Sequence, residues 1–415
     1  MITNEPSSAD EDALLHSLSP ERPLRVCLLI AYFHPFESGA ERQAFAQGVE
    51  LARLGHFVHV VTHSMPGVPR DEVVRGINVH RWIKSSKHGP LFSITFVASA
   101  IHALRRLKAL HGLDLIHTHQ ALWEAVAAGA ARIGFLPGVP TLIQPASSGY
   151  YGEAEELLRT RGAGVLRRII LQNDAFVSIS LDIEREWLAL GVPQRRMLRI
   201  ASGVDESHYR AGPSRAPEKL NLPPGPRVVF TGRIHPQKNL DILIDIWPVV
   251  STATGAALIL VGHGPERERL EAKCQALGIS QHVIFTGRVG DPAELLRAAD
   301  VFVLPSVAEG MSNSLLEAMS TSLPCIASDI GGNQDLLGAG KGLLITLGEG
   351  CRERWTQALI KLLSDPELRR RLGDSGRRRI EEEFSLSRVV KRYVALYRSL
   401  LPPSAQEKGQ AKRQA

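Results

Sequence analysis

The sequence predicts two doubly wound α/β domains that face each other across a cleft. Three observations carry this. Apolar, β-rich runs alternate with longer helical patterns along the chain. The alternation occurs twice on one plan, and the gap between the halves, HYRAGPSRAPEKLNLPPGP (208–226), is dense in proline, glycine and charge. Short continuous apolar runs separated by helices point to buried parallel strands in βαβ units. At 415 residues the chain is also too long for one ordinary core.

In the first half the strand candidates are LRVCLLIA (24–31), HFVHVVT (56–62), LDLIHTH (113–119), VPTLIQ (139–144) and AFVSIS (175–180). In the second they are RVVFTG (227–232), AALILVG (256–262), HVIFTG (282–287), DVFVLPS (300–306) and PCIASD (324–329). The expected organisation is a polar tail (1–22), a first domain (23–207), the linker (208–226) and a second domain (227–385). A final helix (386–401) and a second polar tail (402–415) follow, with both tails expected to be poorly ordered. Residues 91–110 are expected to form a helix packed on the first sheet through Ile94, Val97, Ile101, Leu104 and Leu107. The arginine-rich run 367–379 reads as a solvated helical face.

Composition narrows the class. Hydrophobic residues at 44% and charged residues at 22% are those of a globular domain. A net charge of +6 suits an anionic ligand or a membrane surface, while no nucleic-acid-binding motif accompanies it. The four cysteines are scattered without a C-x-x-C pair and read as reduced structural thiols. The start, MITNEPSSADEDALL, is acidic and polar, unlike a secretory signal, and no run reaches the ~18 apolar residues of a membrane span. A cytoplasmic protein, at most peripheral to a membrane, is expected.

In doubly wound sheets ligands bind beyond the carboxyl ends of the strands. There the sequence delivers Ser38-Gly39-Ala40, His117 and His119, Gly232-Arg233 with Lys238, Gly262-His263-Gly264, Gly287-Arg288, and Glu309-Gly310. Arg233 and Lys238 flank IHPQ and offer a planar fork and a compact charge to phosphate oxygens. In EGMSNSLLE (309–317), a helix starting near Ser312 or Asn313 would turn its free amides to the same rim and favour an anion. Glu309 and Glu317 would then stand roughly 8–10 Å apart on a ~1.5 Å rise per residue, addressing hydroxyls on either side of a phosphate. The plainer reading of Ser314-Leu315-Leu316-Glu317 is a capping box, and of Gly262-x-Gly264 a chain reversal. His117 is read as turned to the opposite face from His119. No H-E-x-x-H or clustered His and Cys suggests a metal, so none is expected.

E309-GMSNSLL-E317 with AMSTSLPCIASDIGGN (318–333), TGRIHPQKN (231–239), VGHGPERERLE (261–271), FTGRVGDPAELLRAADVFVLPS (285–306), SGAERQAFAQGVELARLGHFVHVVT (38–62) and DLIHTH (114–119) together resemble glycosyltransferase family 4. That family comprises retaining enzymes of the GT-B fold, in which two Rossmann-like domains flank the cleft. The resemblance runs from about residue 24 to about 400. It implies that Arg233 and Lys238 bind the diphosphate of a nucleotide-sugar donor, that Glu309 holds sugar hydroxyls, and that Glu317 holds the ribose. It further implies that backbone from Gly310 and Met311 through Ser312, Asn313 and Ser314 to Leu315 meets phosphate and sugar. Arg288 and Val289 would lie along the base, and Gly39 would admit the donor. His119, rather than His117, would meet the transferred sugar. His119, Glu309, Arg233 and Lys238 form the implied catalytic set. Such enzymes are usually described as substituting on the front face, with the leaving phosphate deprotonating the acceptor and no protein nucleophile.

The resemblance implies a hexosyl or N-acetylhexosaminyl transferase, with a UDP-sugar favoured over GDP-mannose and a glycan or lipid-linked acceptor. Cell-surface polysaccharide or glycolipid synthesis, with peripheral membrane association, would be its setting. A sugar-nucleotide epimerase, a phosphorylase or a non-catalytic partner subunit are the competing readings. The sequence departs from the family at Ser38-Gly39, at Ser202-Gly203-Val204-Asp205, at QPASSG (144–149), and at Asn333 and Asp335 after Gly331-Gly332. The QPASSG change bears on acceptor contacts.

Overall fold

A computed structural model describes residues 22–36, 38–86 and 90–402. Of the two tails expected to be poorly ordered, all but Arg22 and Pro402 lie outside the described residues. The first lobe holds β1 (Arg25–Leu29), β2 (Phe57–His63), β3 (Asp71–Val74), β4 (Ile77–Ile83), β5 (Leu115–His119), β6 (Thr141–Gln144), β7 (Ala175–Ser178) and β8 (Met197–Arg199). These form one sheet in the order β3-β4-β2-β1-β5-β6-β7-β8, parallel except for β3 against β4. The second lobe holds β9 (Arg227–Thr231), β10 (Ala257–Val261), β11 (Val283–Gly287), β12 (Val301–Leu304), β13 (Cys325–Ser328) and β14 (Leu343–Ile345). Its order is β11-β10-β9-β12-β13-β14, all parallel.

Every residue of β5, β6, β7, β10, β12 and β13 is buried, because helices cover both faces of each sheet. Each fully buried aliphatic side chain there contributes roughly 1.5–3 kcal/mol. Both sheets reverse their strand order beside the first strand, between β1 and β5 and between β9 and β12. Such switch points open a crevice at the strand ends. They fix where the site must be sought.

The helix Pro90–His111 packs on the alanine-rich helix Trp123–Gly134 through Phe96, Ala100, Ala103, Leu104 and Leu107. The expected stripe is therefore turned: Ile94 is 65% exposed, because Ala100 and Ala103 permit the closer helix approach. The run 367–379 is not simply solvated either. The Arg377 guanidinium donates to the carbonyls of Glu206, Tyr209 and Ser320, and Arg379 donates to those of Leu336 and Gly338. The linker is packed down on the second lobe, where Ser320 Oγ donates to Tyr209 O at 2.6 Å and Ser214 Oγ to Glu294 O at 2.6 Å.

The chain then returns. Val204 N donates to Phe384 O (3.0 Å) and Leu386 N to Val204 O (2.9 Å), which brings the helix Leu386–Leu400 against the first sheet. Val389, Val390, Tyr393, Val394, Leu396 and Tyr397 share one core with Val26, Leu28, Val58 and Leu115.

Candidate functional site

At the second-lobe switch point, β9 leads into Gly232 at φ +153°, and Gly232 N and Ile234 N donate to Val261 O (2.9 Å) and His263 O (3.1 Å). A Cβ at Gly262 or Gly264 would stand 1.8 Å from Gly232 O or 2.0 Å from Ile234 O. The G-x-G pair is therefore a close approach of two loops. It braces the turn that leaves Arg233 exposed, with no ion pair among the described residues.

Gln237 ties this turn to the loop after β12. Its carbonyl accepts from Val307 N at 2.9 Å, and its side-chain amide donates to Ala308 O at 2.8 Å. Lys238 and Glu309, both largely buried, form an ion pair across the same junction. Beyond it, Ser312 caps the helix Asn313–Ser320 by accepting from Leu315 N at 3.3 Å, so the first-turn amides of Asn313 and Ser314 have no intrahelical acceptor. The expected capping box is not formed, because Ser312 rather than Ser314 is the cap and Glu317 lies inside the helix. Leu315 is fully buried, and Met311 Sδ accepts from Ser202 N of the first lobe at 3.3 Å.

The first lobe closes directly on this helix. Asn313 Nδ2 donates to Gly39 O (2.9 Å), and Gln43 Nε2 donates to Asn313 Oδ1 (2.9 Å) and Gly203 O (2.9 Å). Arg42 forms an ion pair with buried Glu317 and also donates to the Tyr209 hydroxyl at 3.0 Å. Ser148 Oγ donates to Glu309 O at 3.1 Å, so the QPASSG loop adjoins the first of the two acids. A cavity of about 260 Å³ opens there between Ser148, Gly149, Asp182, Glu186, Glu309 and Gly331.

The two acids thus meet separate cations, Lys238 from their own lobe and Arg42 from the other. Sequence reasoning missed Arg42, Gln43 and Tyr209. The available signal was Arg42 itself, since a cation in the first turn of a helix opposes the helix dipole and needs another partner.

His119 ends β5 at the first-lobe switch point and is 2% exposed. His117 lies on the same face, not the opposite one: the rings stack 4.3 Å apart, because residues two apart on a strand point the same way. His117 Nδ1 meets the Tyr397 hydroxyl at 2.7 Å, and Tyr397 accepts from Gln47 Nε2 at 3.0 Å. Burial pushes the His119 imidazole down to about 3, and burial with the neighbouring His119 holds His117 well below its ordinary range. Both rings are neutral at physiological pH. Among the described residues no hydrogen bond joins His119 to Arg233, Lys238 or Glu309.

Arg288 is exposed just after β11 and Val289 is half-buried against the core; two residues on, Asp291 is close enough to act on Glu317. Two buried acids hold the loops of the first lobe. Glu124 accepts from Ala31 N at 3.1 Å, and Glu153 accepts from Ala146 N (2.8 Å) and Ser147 N (2.9 Å). Burial raises each carboxyl to about 7. Among the described residues no group of three or more His, Cys, Asp or Glu is placed to hold a metal ion, and no helix is long and apolar enough to cross a membrane.

An exposed guanidinium, a lysine, free helix amides and two acids thus gather where the switch points of the two lobes meet. Comparison with known proteins gives the family. The profile described as "Glycosyltransferase Family 4" matches residues 38–208, and "Glycosyl transferases group 1" matches residues 225–365. A GDP-mannose-dependent alpha-mannosyltransferase of Mycobacterium tuberculosis is 30% identical, over 79% of this chain and 85% of its own. The N-acetyl-alpha-D-glucosaminyl L-malate synthase of Bacillus anthracis is 24% identical, over 85% and 92%. Among solved structures, Anabaena HepE in complex with UDP superposes with a TM-score of 0.72 at 19% identity, covering 91% of this chain and 100% of that one. Sucrose-phosphate synthase of Thermosynechococcus elongatus gives 0.74 at 24% identity, covering 91% and 99%. The chain belongs to glycosyltransferase family 4, the group 1 glycosyltransferases, and is a transferase built on the GT-B fold.

Proposed function

We propose that this transferase moves a hexosyl or N-acetylhexosaminyl group, with retention, from a nucleotide-diphosphate sugar to a glycan or lipid-linked acceptor. A UDP-sugar is the favoured donor. Synthesis of cell-surface polysaccharide or glycolipid is the proposed setting, in the cytoplasm and peripherally at its membrane. The observation that carries the donor reading is Arg233, exposed and with no acid partner among the described residues, together with Lys238 and the amino end of the helix Asn313–Ser320.

On this reading Lys238 exchanges Glu309 for the diphosphate, which frees Glu309 for the sugar hydroxyls. The first-turn amides and Arg233 complete a fixed electrostatic clamp on the leaving group, and the reading takes no metal. Backbone from Gly310 to Leu315 lines the phosphate and sugar, Arg288 and Val289 the base, and Glu317 the ribose. Gly39 admits the donor from the first lobe. His119, neutral, offers a hydrogen bond near the anomeric centre rather than a proton. HepE, solved in complex with UDP, supports a uridine donor, while the GDP-mannose-dependent mannosyltransferase makes GDP-mannose the comparison.

A thermal-shift screen of UDP-, GDP- and ADP-sugars, followed by mass spectrometry of products from labelled donor, tests the reading. Arg233→Ala and Lys238→Ala should each weaken donor binding by a charge-assisted hydrogen bond, about 1.5–3 kcal/mol. Unaltered binding and transfer in both variants would refute the diphosphate assignment. Release of an epimerised nucleotide sugar without acceptor would point to an epimerase.

A further inference from the structure

Glu317 is 4% exposed; its Oε1 meets Arg42, and its Oε2 is buried with no partner among the described residues. A buried carboxylate oxygen left unpaired is costly, and ligand hydroxyls satisfy such atoms whereas phosphate oxygens cannot. Arg42 comes from the other lobe, steadied by the Tyr209 hydroxyl, while its neighbour Gln43 and Gly39 bind Asn313 one turn before Glu317. Its position in the first turn of the helix Gly39–Arg53 opposes that helix's dipole, so the Glu317 pairing is what favours it there.

We propose that Arg42 is a positioning residue for the donor's ribose: it occupies Oε1 of Glu317 and leaves Oε2 to accept a ribose hydroxyl, so the ribose subsite is complete only with the lobes together. This rests on the donor reading above. The nucleotide enters with the lobes parted, and its hydroxyl reaches Oε2 as they return. Ionisation of Glu317 depends on the same contact. Burial pushes its carboxyl up, Arg42 opposes this, Asp291 from the loop after β11 adds to the rise, and His208 from the linker opposes it. His208 Nε2 itself stands 2.9 Å from Asp291 Oδ2, and Tyr209 is the other titratable neighbour. Without Arg42 the acid takes up its proton at higher pH, and a protonated Glu317 is a poorer acceptor.

Calorimetry with UDP, GDP and ADP and their 2′,3′-dideoxy counterparts, on the wild type, Arg42→Ala and Arg42→Lys, tests this. The wild type should prefer the ribose form of its nucleotide by about 10-fold, the worth of one hydrogen bond to a charged group. Arg42→Ala should lose that preference while keeping its affinity for the dideoxy form, and its deficit should be larger at about pH 6 than at about pH 8. Arg42→Lys, which keeps a cation and guards against a folding defect in the alanine variant, should recover most of the preference. Undiminished ribose preference in Arg42→Ala, or tighter binding that marks Arg42 as a competitor, overturns the inference alone. If the wild type binds none of the nucleotides, the donor reading falls and this inference with it.

Discussion

Gly310→Ala isolates the contact between the lobes. A Cβ at this position would stand 2.4 Å from the Ala146 carbonyl oxygen and 3.2 Å from Ile183 Cδ1, whereas ordinary contact begins at 3.4 Å. The loop carrying Glu309 and the QPASSG loop must therefore part by about 1 Å. Both are rim loops on different lobes, so the strain is relieved by separating them, at the expense of Ser148 Oγ to Glu309 O (3.1 Å) and Ser202 N to Met311 Sδ (3.3 Å). The sheets need not move. A misplacement of about 1 Å at a reacting centre costs on the order of 10²-fold in rate. Steady-state kinetics should show kcat/KM for transfer reduced by about that factor, while the melting midpoint stays within about 4 °C of the parent. A variant that transfers at the parental rate, or one that loses activity only in proportion to its unfolded fraction, would refute the coupling of lobe contact to catalysis.

Two further outcomes concern the first lobe. Glu124 has its carboxyl raised to about 7 from 4.5, so the folded protein retains a proton that the unfolded chain releases. Its stability contribution is greatest below about pH 4.5 and declines as pH rises to about 7, by about 3 kcal/mol when complete. Glu124→Gln keeps an acceptor for Ala31 N and should lessen the fall in urea-denaturation stability between pH 5 and 8 without abolishing it, since Glu153 is raised to about 7 as well; an unchanged slope would contradict it. Tyr397→Phe strands His117 Nδ1 and Gln47 Nε2 in the interior and should destabilise by about 1–3 kcal/mol, read as a lower urea midpoint at constant m-value. A midpoint within error of the parent would show that the two groups find other partners.

Nine of the ten strand candidates contain a strand of the structure and the tenth, 56–62, stops one residue short of the end of β2, because buried parallel strands are written as largely apolar runs. The four that escaped lack such a run. β3 is a short antiparallel edge strand, DEVV, while β8 and β14 have only three residues each at the sheet margins. β4 is interrupted by His80 and Arg81. Arg81 is 1% exposed and donates to Glu72 Oε1 (2.5 Å), Pro69 O (2.8 Å) and His34 O (2.6 Å), partners no local pattern discloses.

The site divides in the same way. Arg233, Lys238, Glu309 and the cap at Ser312 belong to loops following β9 and β12, so the strand pattern alone brought them to one rim. Arg42 with Glu317 is separated by 275 positions and depends on how two lobes meet, which periodicity within either lobe does not encode. His117 and His119 needed only the strand's twofold period to be placed on one face.

The return of the helix Leu386–Leu400 to the first sheet has a consequence for synthesis of the chain. Val26, Leu28 and Leu115 are made before the second lobe, yet the residues that cover them, Val390, Tyr393 and Tyr397, are made after it. The early lobe must wait with an apolar surface open while the later lobe is translated, a period in which nascent chains are prone to aggregate. Ribosome-bound chains halted before residue 386 should therefore be more readily captured by chaperones and cleaved by proteases than chains released at full length.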